Sequence, residues 1–375
     1  MIYLDHHSAT RPCAPALERM RASLEEHWLP GFLPYVTPLA SRYQVVYDLV
    51  GASEGDTFVF TSSGAEAINQ VHWTAFLELA RKEGKCHLIT TALEDAPMLQ
   101  SLKRLEDLGC FVKFAPLDSK GRVDVAQLKE LISPKTAMIS LSYAHGLTGV
   151  IQPIEEIAAL AKEKNVLFHV DATYVLGKVD RPFQNADYLT FSGDRLHAAK
   201  GSGALFAKAG CPLKPFIVGG IEQGSLRGGA FDIPSFLSLS AAAAQASLSI
   251  DLMGLETVRL RDRFEEQIVS KIGGAAVLFP ELRLPNVSVL AIPRVHQEAL
   301  FYALCKKQLF GSIGGHYAPH LSRQLVAVGV EEKVAETAIH FSLSRMTTQD
   351  EIDRASGIVA ESVEKLRALS EDLFS

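Results

Sequence analysis

From residue 56 to about residue 208, short apolar runs alternate with amphipathic stretches, and this alternation constrains the fold more than any other feature of the chain. Residues 57–60, 87–90, 111–114, 137–141, 166–170, 188–191 and 203–206 read as strands rich in β-branched and aromatic residues. Helices are expected over 64–81, 96–108, 125–131 and 153–164, the last opened by Pro153, which suits a first helical turn. Strand–helix alternation of this kind implies a largely parallel sheet covered on both faces by helices. Such sheets bind ligands beyond the carboxyl ends of their strands. Ser63, Asp171 and Ser192 each follow an expected strand, so they are placed to converge on one site. After Leu255 the texture changes to a charged helix over 256–272, short strands around 287–291 and a closing amphipathic helix over 349–369. The expected organisation is a large α/β domain over 16–250. A smaller α+β domain combines 1–15 with 251–375.

Hydrophobic residues make up 47% of the 375, enough for a sizeable core and against disorder. The net charge of −6 comes with no basic block, so a nucleic-acid partner is not expected. Residues 1–7 lack the basic segment and apolar run of a signal peptide. The most apolar stretch, 233–255, is interrupted by serines, Gln245 and Asp251. A membrane span needs roughly 20 mostly apolar residues, and this stretch is expected to be a buried helix. The five cysteines show no C-x-x-C spacing, which fits structural thiols in a reducing cytoplasm.

Six segments, read in order, resemble the class V aminotransferases and are nearest the cysteine desulfurases. Residues 3–10, YLDHHSAT, resemble Y-L-D-N-N-A-T-T. Residues 60–69, FTSSGAEAIN, are similar to F-T-S-G-x-T-E-x-x-N, and 149–154, GVIQPI, to G-x-x-Q-P-I. Residues 169–172, HVDA, match the family outright. Residues 192–201, SGDRLHAAKG, stand at S-G-H-K-x-x-G-P-K-G, and 341–345, FSLSR, at F-S-L-G-R. The resemblance spans nearly the whole chain. It implies the pyridoxal-phosphate (PLP) transferase fold, with a mainly parallel seven-stranded sheet between helices. It also implies PLP as cofactor and a homodimer, with a sulfur acceptor or a second desulfurase as a possible partner protein.

Placed on the family pattern, the chemistry-bearing positions have changed. Asp171 keeps the carboxylate that meets the pyridine nitrogen, and Ser192 keeps a phosphate-site hydroxyl. Ser63 and Gly64 keep the turn before a helix, whose N–H groups suit a phosphate. The aldimine lysine is replaced by Arg195, whose guanidinium stays protonated and is no amine nucleophile. The histidine before it is Asp194, the stacking histidine is Asp95, and the threonine of the phosphate turn is Ala65. The asparagine facing the ring hydroxyl is His145, the glutamine after H-V-D-A-T is Tyr174, and the substrate-carboxylate arginine is His340. The nucleophile loop has no cysteine, and His316 falls nearest its place. These changes spare the apolar framework and fall on the chemistry, which suggests a pseudoenzyme or a pocket put to another use. Two alternatives stay open at this level. One is PLP chemistry through Lys200 or a non-covalent mode. The other is metal-assisted chemistry in a pocket rich in His and Asp, although no metal-ligand spacing such as H-E-x-x-H is present.

Overall fold

The computed structural model describes residues 1–26, 39–180, 182–315 and 319–374. Its centre is a seven-stranded sheet made of β2 (Thr57–Thr61), β3 (His87–Thr90), β4 (Phe111–Phe114), β5 (Thr136–Ser142), β6 (Leu167–Asp171), β7 (Tyr188–Ser192) and β8 (Gly203–Ala207), in the order β2-β8-β7-β6-β5-β3-β4. Only β8 runs against the other strands. Strand β5 is buried along its whole length, as a parallel strand covered on both faces must be. The seven expected strands and the four expected helices fall within a few residues of their observed bounds.

Two features depart from the sequence expectation. The helix from Gly64 ends its regular turns at Ala75 and continues through a π-helical stretch, Phe76–Ala80. The apolar stretch 233–255 is not one helix. Helix Ile233–Ser247 stops, and the following helical stretch, Ile250–Lys271, leaves at a bend of 58°. The Ser249 hydroxyl donates to the Gln245 carbonyl at 2.6 Å, a side-chain bond of the kind that bends helices. Most of Ile233–Ser247 is buried, against Ala14–Glu26 and Ala40–Val50. Among the described residues no single helix is long and apolar enough to cross a membrane, although the bent pair together meets that test of length and composition. The five cysteines are free thiols.

The remaining strands build a second body. Strand β10 (Val287–Ala291) pairs antiparallel with β9 (Ala276–Leu278) and β12 (Ala338–Ser342). At the other end of the chain, β1 (Ile2–Tyr3) lies parallel to β11 (Leu309–Phe310), and Asp5 bridges to Ser342. One hydrophobic cluster accordingly unites Ile2 and Leu4 with Phe264, Leu300, Phe341 and Val359, separate from the clusters around the large sheet.

Candidate functional site

The parallel strands β6 and β7 end side by side, which brings Asp171 and Ser192 to the same edge of the sheet. Helix Gly64–Ala75 begins at that edge, with Ser63 as its N-cap: the Ser63 hydroxyl accepts from the Glu66 amide at 3.2 Å. Close backbone approach fixes this junction. A Cβ on Gly203 would lie 2.3 Å from the Ser63 carbonyl carbon, so β8 and the helix start can meet only through glycine. The result is a pocket of about 180 Å³. Ser63, Gly64, Ala65, Asp95, Asp171, Tyr174, Ser192, Asp194 and Arg195 all line it.

The internal bonding of this pocket is dense. Ser192 donates its hydroxyl to Asp194 at 2.7 Å, and Arg195 donates to the other Asp194 oxygen at 2.5 Å. Tyr174 donates to Asp95. Asp171 accepts from Thr173 at 2.8 Å and from Thr190 at 3.2 Å. Burial pushes the Asp95 carboxyl up to about 6. Burial, with the neighbouring Asp95 charge adding to it, pushes Asp171 up to about 7.

Behind Asp171 runs a chain of hydrogen bonds. His169 Nε2 lies 3.0 Å from the Thr190 hydroxyl and His169 Nδ1 2.7 Å from that of Ser140. His72 Nε2 lies 2.8 Å from the same Ser140, and His72 Nδ1 2.9 Å from Ser101. Both imidazoles are neutral because burial pushes their pKa down, His72 to about 3 and His169 well below its usual value. Thr190 spends its single proton on Asp171, so His169 must donate from Nε2 and accept at Nδ1. Ser140 then donates to His169 in preference to the Met98 sulfur 3.0 Å away, a weaker acceptor, while His72 donates from Nε2 to Ser140 and Ser101 donates to His72. Every proton in the chain points toward the Asp171 carboxylate.

His145 and His340 do not line the pocket. They belong to a buried histidine cluster behind it with His7, whose ring stacks on Tyr174 at 4.8 Å and meets His340 edge-on at 5.3 Å. His340 Nδ1 donates to the Leu147 carbonyl at 2.6 Å, and His145 Nδ1 accepts from the Thr148 amide at 3.1 Å. Burial holds all three imidazoles neutral, with His145 down to about 3 and His340 to about 4. A neutral imidazole cannot clamp a substrate carboxylate as an arginine does, so His340 does not take over the carboxylate-binding role of the position that the resemblance gives it. Lys200 is exposed and is not among the residues lining the pocket. His316 lies outside the described residues. No group of three or more His, Cys, Asp or Glu among the described residues could hold a metal ion. Sequence reasoning missed Glu94, which accepts from Thr91 and Ser142 at 2.6 Å each and which burial pushes up to about 7. Its only signal was a charge immediately after an apolar run.

A sheet of this topology with a pocket at its carboxyl edge and a helix N-terminus in that pocket defines the PLP-transferase type of fold. The Aminotransferase class-V family profile matches residues 40–355. The chain is 35% identical over 384 residues to cysteine desulfurase 2 of Trichormus variabilis, covering 99% of this chain and 95% of that protein. It is 32% identical to the cysteine desulfurase NifS of Azotobacter vinelandii, covering 98% and 94%. A solved NifS-like protein superposes with a TM-score of 0.88 at 26% identity, covering 97% of this chain and 99% of that one. The chain belongs to the class V aminotransferase family, near the cysteine desulfurases.

That family is PLP-dependent, and the pocket residues can be tested against the cofactor. The helix N-terminus at Ser63 and the Asp171 carboxylate fit it. The rest do not. Among the described residues no lysine lines the pocket to form the covalent link. The Ser192 hydroxyl is already donated to Asp194. Asp95 and Asp194 add two carboxyl groups beyond Asp171, so a phosphate dianion meets unfavourable charge where it needs donors. The residues present do not fit a lysine-linked PLP.

Proposed function

We propose that this chain is a desulfurase-like protein that does not carry out lysine-aldimine catalysis and acts through binding, with a sulfur acceptor or an active desulfurase as its protein partner. The observation that carries this reading is Arg195 at the lysine position, paired with Asp194 inside a pocket without any lysine. Arginine cannot act as the amine nucleophile that PLP chemistry requires. Asp171, Ser192, Ser63 and Gly64 remain as a framework, while Ala65, Asp95, Tyr174 and Asp194 remodel its lining. His145 and His340 fill the space behind it. A homodimer is part of the proposal. It is supported by family membership and by an apolar loop whose Val218 and Ile221 are 81% and 88% exposed. A cytoplasmic location accords with the five free thiols.

The test is incubation with PLP, borohydride reduction and intact-mass measurement, with Lys200→Ala as control and sulfide release from L-cysteine measured in parallel. The expected result is no pocket adduct and no sulfide. A pyridoxyl adduct mapped to a single lysine, accompanied by sulfide release, would overturn the proposal.

A further inference from the structure

On the far side of Arg195 lies a second, smaller cavity of about 30 Å³. Its charged and titratable walls are Lys178, Arg195, Arg345, His6 and His197, and neither Asp nor Glu lines it. This is an unusual wall for a chain of net charge −6. The Lys178 ammonium donates to the Tyr174 carbonyl at 2.9 Å, a neutral acceptor. Arg345 Nη2 is buried and has no hydrogen-bond partner among the described residues, although the Arg345 side chain also meets the Cys13 thiol. Two carboxylates adjoin this wall in sequence: Asp194 is committed to Ser192 and Arg195, and Asp5, which accepts from Ser8, interacts with Arg195.

Arg195 has Asp194, but Lys178 and Arg345 face no carboxylate among the described residues, the counter-ion that buried cations require. Burial and the Arg345 charge push the Lys178 ammonium down to about 8, so it remains mostly protonated at neutral pH. Arg345 has no deprotonated escape in that range. The two imidazoles are neutral, His6 pushed to about 4 and His197 to about 3, in each case first by burial. The positive field in the cavity thus comes from fixed ammonium and guanidinium groups. A volume of about 30 Å³ holds one or two water-sized particles, too little for an organic acid.

We propose that this cavity binds a small inorganic anion of halide size, held by Lys178 and Arg345. The anion supplies the negative charge that the polypeptide withholds. The site is distinct from the Asp-rich pocket and does not depend on the reading proposed for it.

Protein prepared free of chloride in gluconate buffer tests this with sodium bromide at constant ionic strength. Crystals grown in bromide should show an anomalous peak between Lys178 Nζ and the Arg345 guanidinium. In solution, bromide should raise the Tm by about 3 °C in a saturable way, and the rise should be lost in Lys178→Gln. Absence of anomalous density at this place in the wild-type crystal would overturn the proposal, whether the cavity holds water or a carboxylate from a second copy. So would a bromide response undiminished in both Lys178→Gln and Arg345→Gln. The wild-type crystal keeps the test decisive should either variant fail to fold.

Discussion

Two cavities meet at Arg195, and they have solved the problem of buried charge in opposite ways. The larger is walled by Asp95, Asp171 and Asp194. Each of these carboxylates accepts hydrogen bonds from its own neighbours, Tyr174, Thr173, Thr190, Ser192 and Arg195. The smaller is walled by Lys178 and Arg345, whose partners are a carbonyl and the Cys13 thiol, with Arg345 Nη2 left unfilled among the described residues. The difference teaches where an external ligand is required. Apart from the buried Asp95 Oδ1, which has no partner among the described residues, the acidic network satisfies itself and leaves little for a cofactor to add, whereas cations without a counter-ion mark a place where something must arrive.

The contrast breaks first if Asp194→Ala is tolerated. That change strips the carboxylate from a guanidinium only 8% exposed, and removing one partner of a buried pair costs roughly 3–5 kcal/mol. Urea unfolding should show a loss of that order, and a loss below about 1 kcal/mol would mean that Arg195 is held by other contacts. Next in size is the chain behind Asp171. Ser140→Ala removes the hydroxyl that joins His72 to His169 and strands two buried ring nitrogens, at about 1–3 kcal/mol. Nitrogen-15 spectra should show both wild-type histidines protonated at Nε2, and any other tautomer pair would undo the assigned direction.

On the opposite side of Arg195 the sign should reverse. In chloride-free buffer, Lys178→Met should leave stability unchanged or raise it by about 1 kcal/mol, because an uncompensated buried charge is removed. The gain should shrink when bromide is added. The smallest effect belongs to Lys200→Ala, within about 0.5 kcal/mol, as for an exposed side chain away from either cavity. A larger value would show that Lys200 engages the pocket.

The balance of buried groups also sets a pH profile. Eight histidines (His6, His7, His72, His87, His145, His169, His197 and His340) have their pKa pushed down by burial. Their unfolded forms bind protons near pH 5 while the folded forms do not, so their contribution to stability is lost as pH falls below about 6.5. Four carboxyls (Asp5, Glu94, Asp95 and Asp171) are pushed up by burial to about 6 or 7 and work the other way. The folded protein binds more protons at these four between roughly pH 4 and pH 7, so they lower stability as pH rises through that window. The histidines outnumber them, so the Tm should climb from pH 4 toward pH 6.5 and level off above it. A Tm flat across that range would mean that these imidazoles are solvated.

The sheet was legible in the sequence from local signals, and so were three residues of the acidic pocket, whereas Ala65, Asp95, Tyr174, Asp194 and Arg195 were placed there by the family resemblance. The strands are period and composition, and Ser63, Asp171 and Ser192 follow directly from strand ends. The basic cavity was not legible. It is assembled from residues 6, 178, 195, 197 and 345, which lie far apart in the chain and meet only when the chain ends fold back. The same holds for His145 and His340, placed by analogy in the pocket but carried behind it, where His7 and Tyr174 occupy the intervening space. The break after Ser247 escaped notice because an apolar run records burial and not direction.

The pairing of Ile2–Tyr3 with Leu309–Phe310 has a consequence for biosynthesis. A chain emerging from the ribosome presents residues 2–5 some three hundred positions before the strand they need. The sheet built by residues 57–207 can close while that segment still waits. Its apolar Ile2 and Leu4 stay exposed until Leu309 and Ser342 arrive. The smaller body is therefore stitched shut last, and through that interval the early segment is open to chaperones, to proteases and to mispairing with another chain.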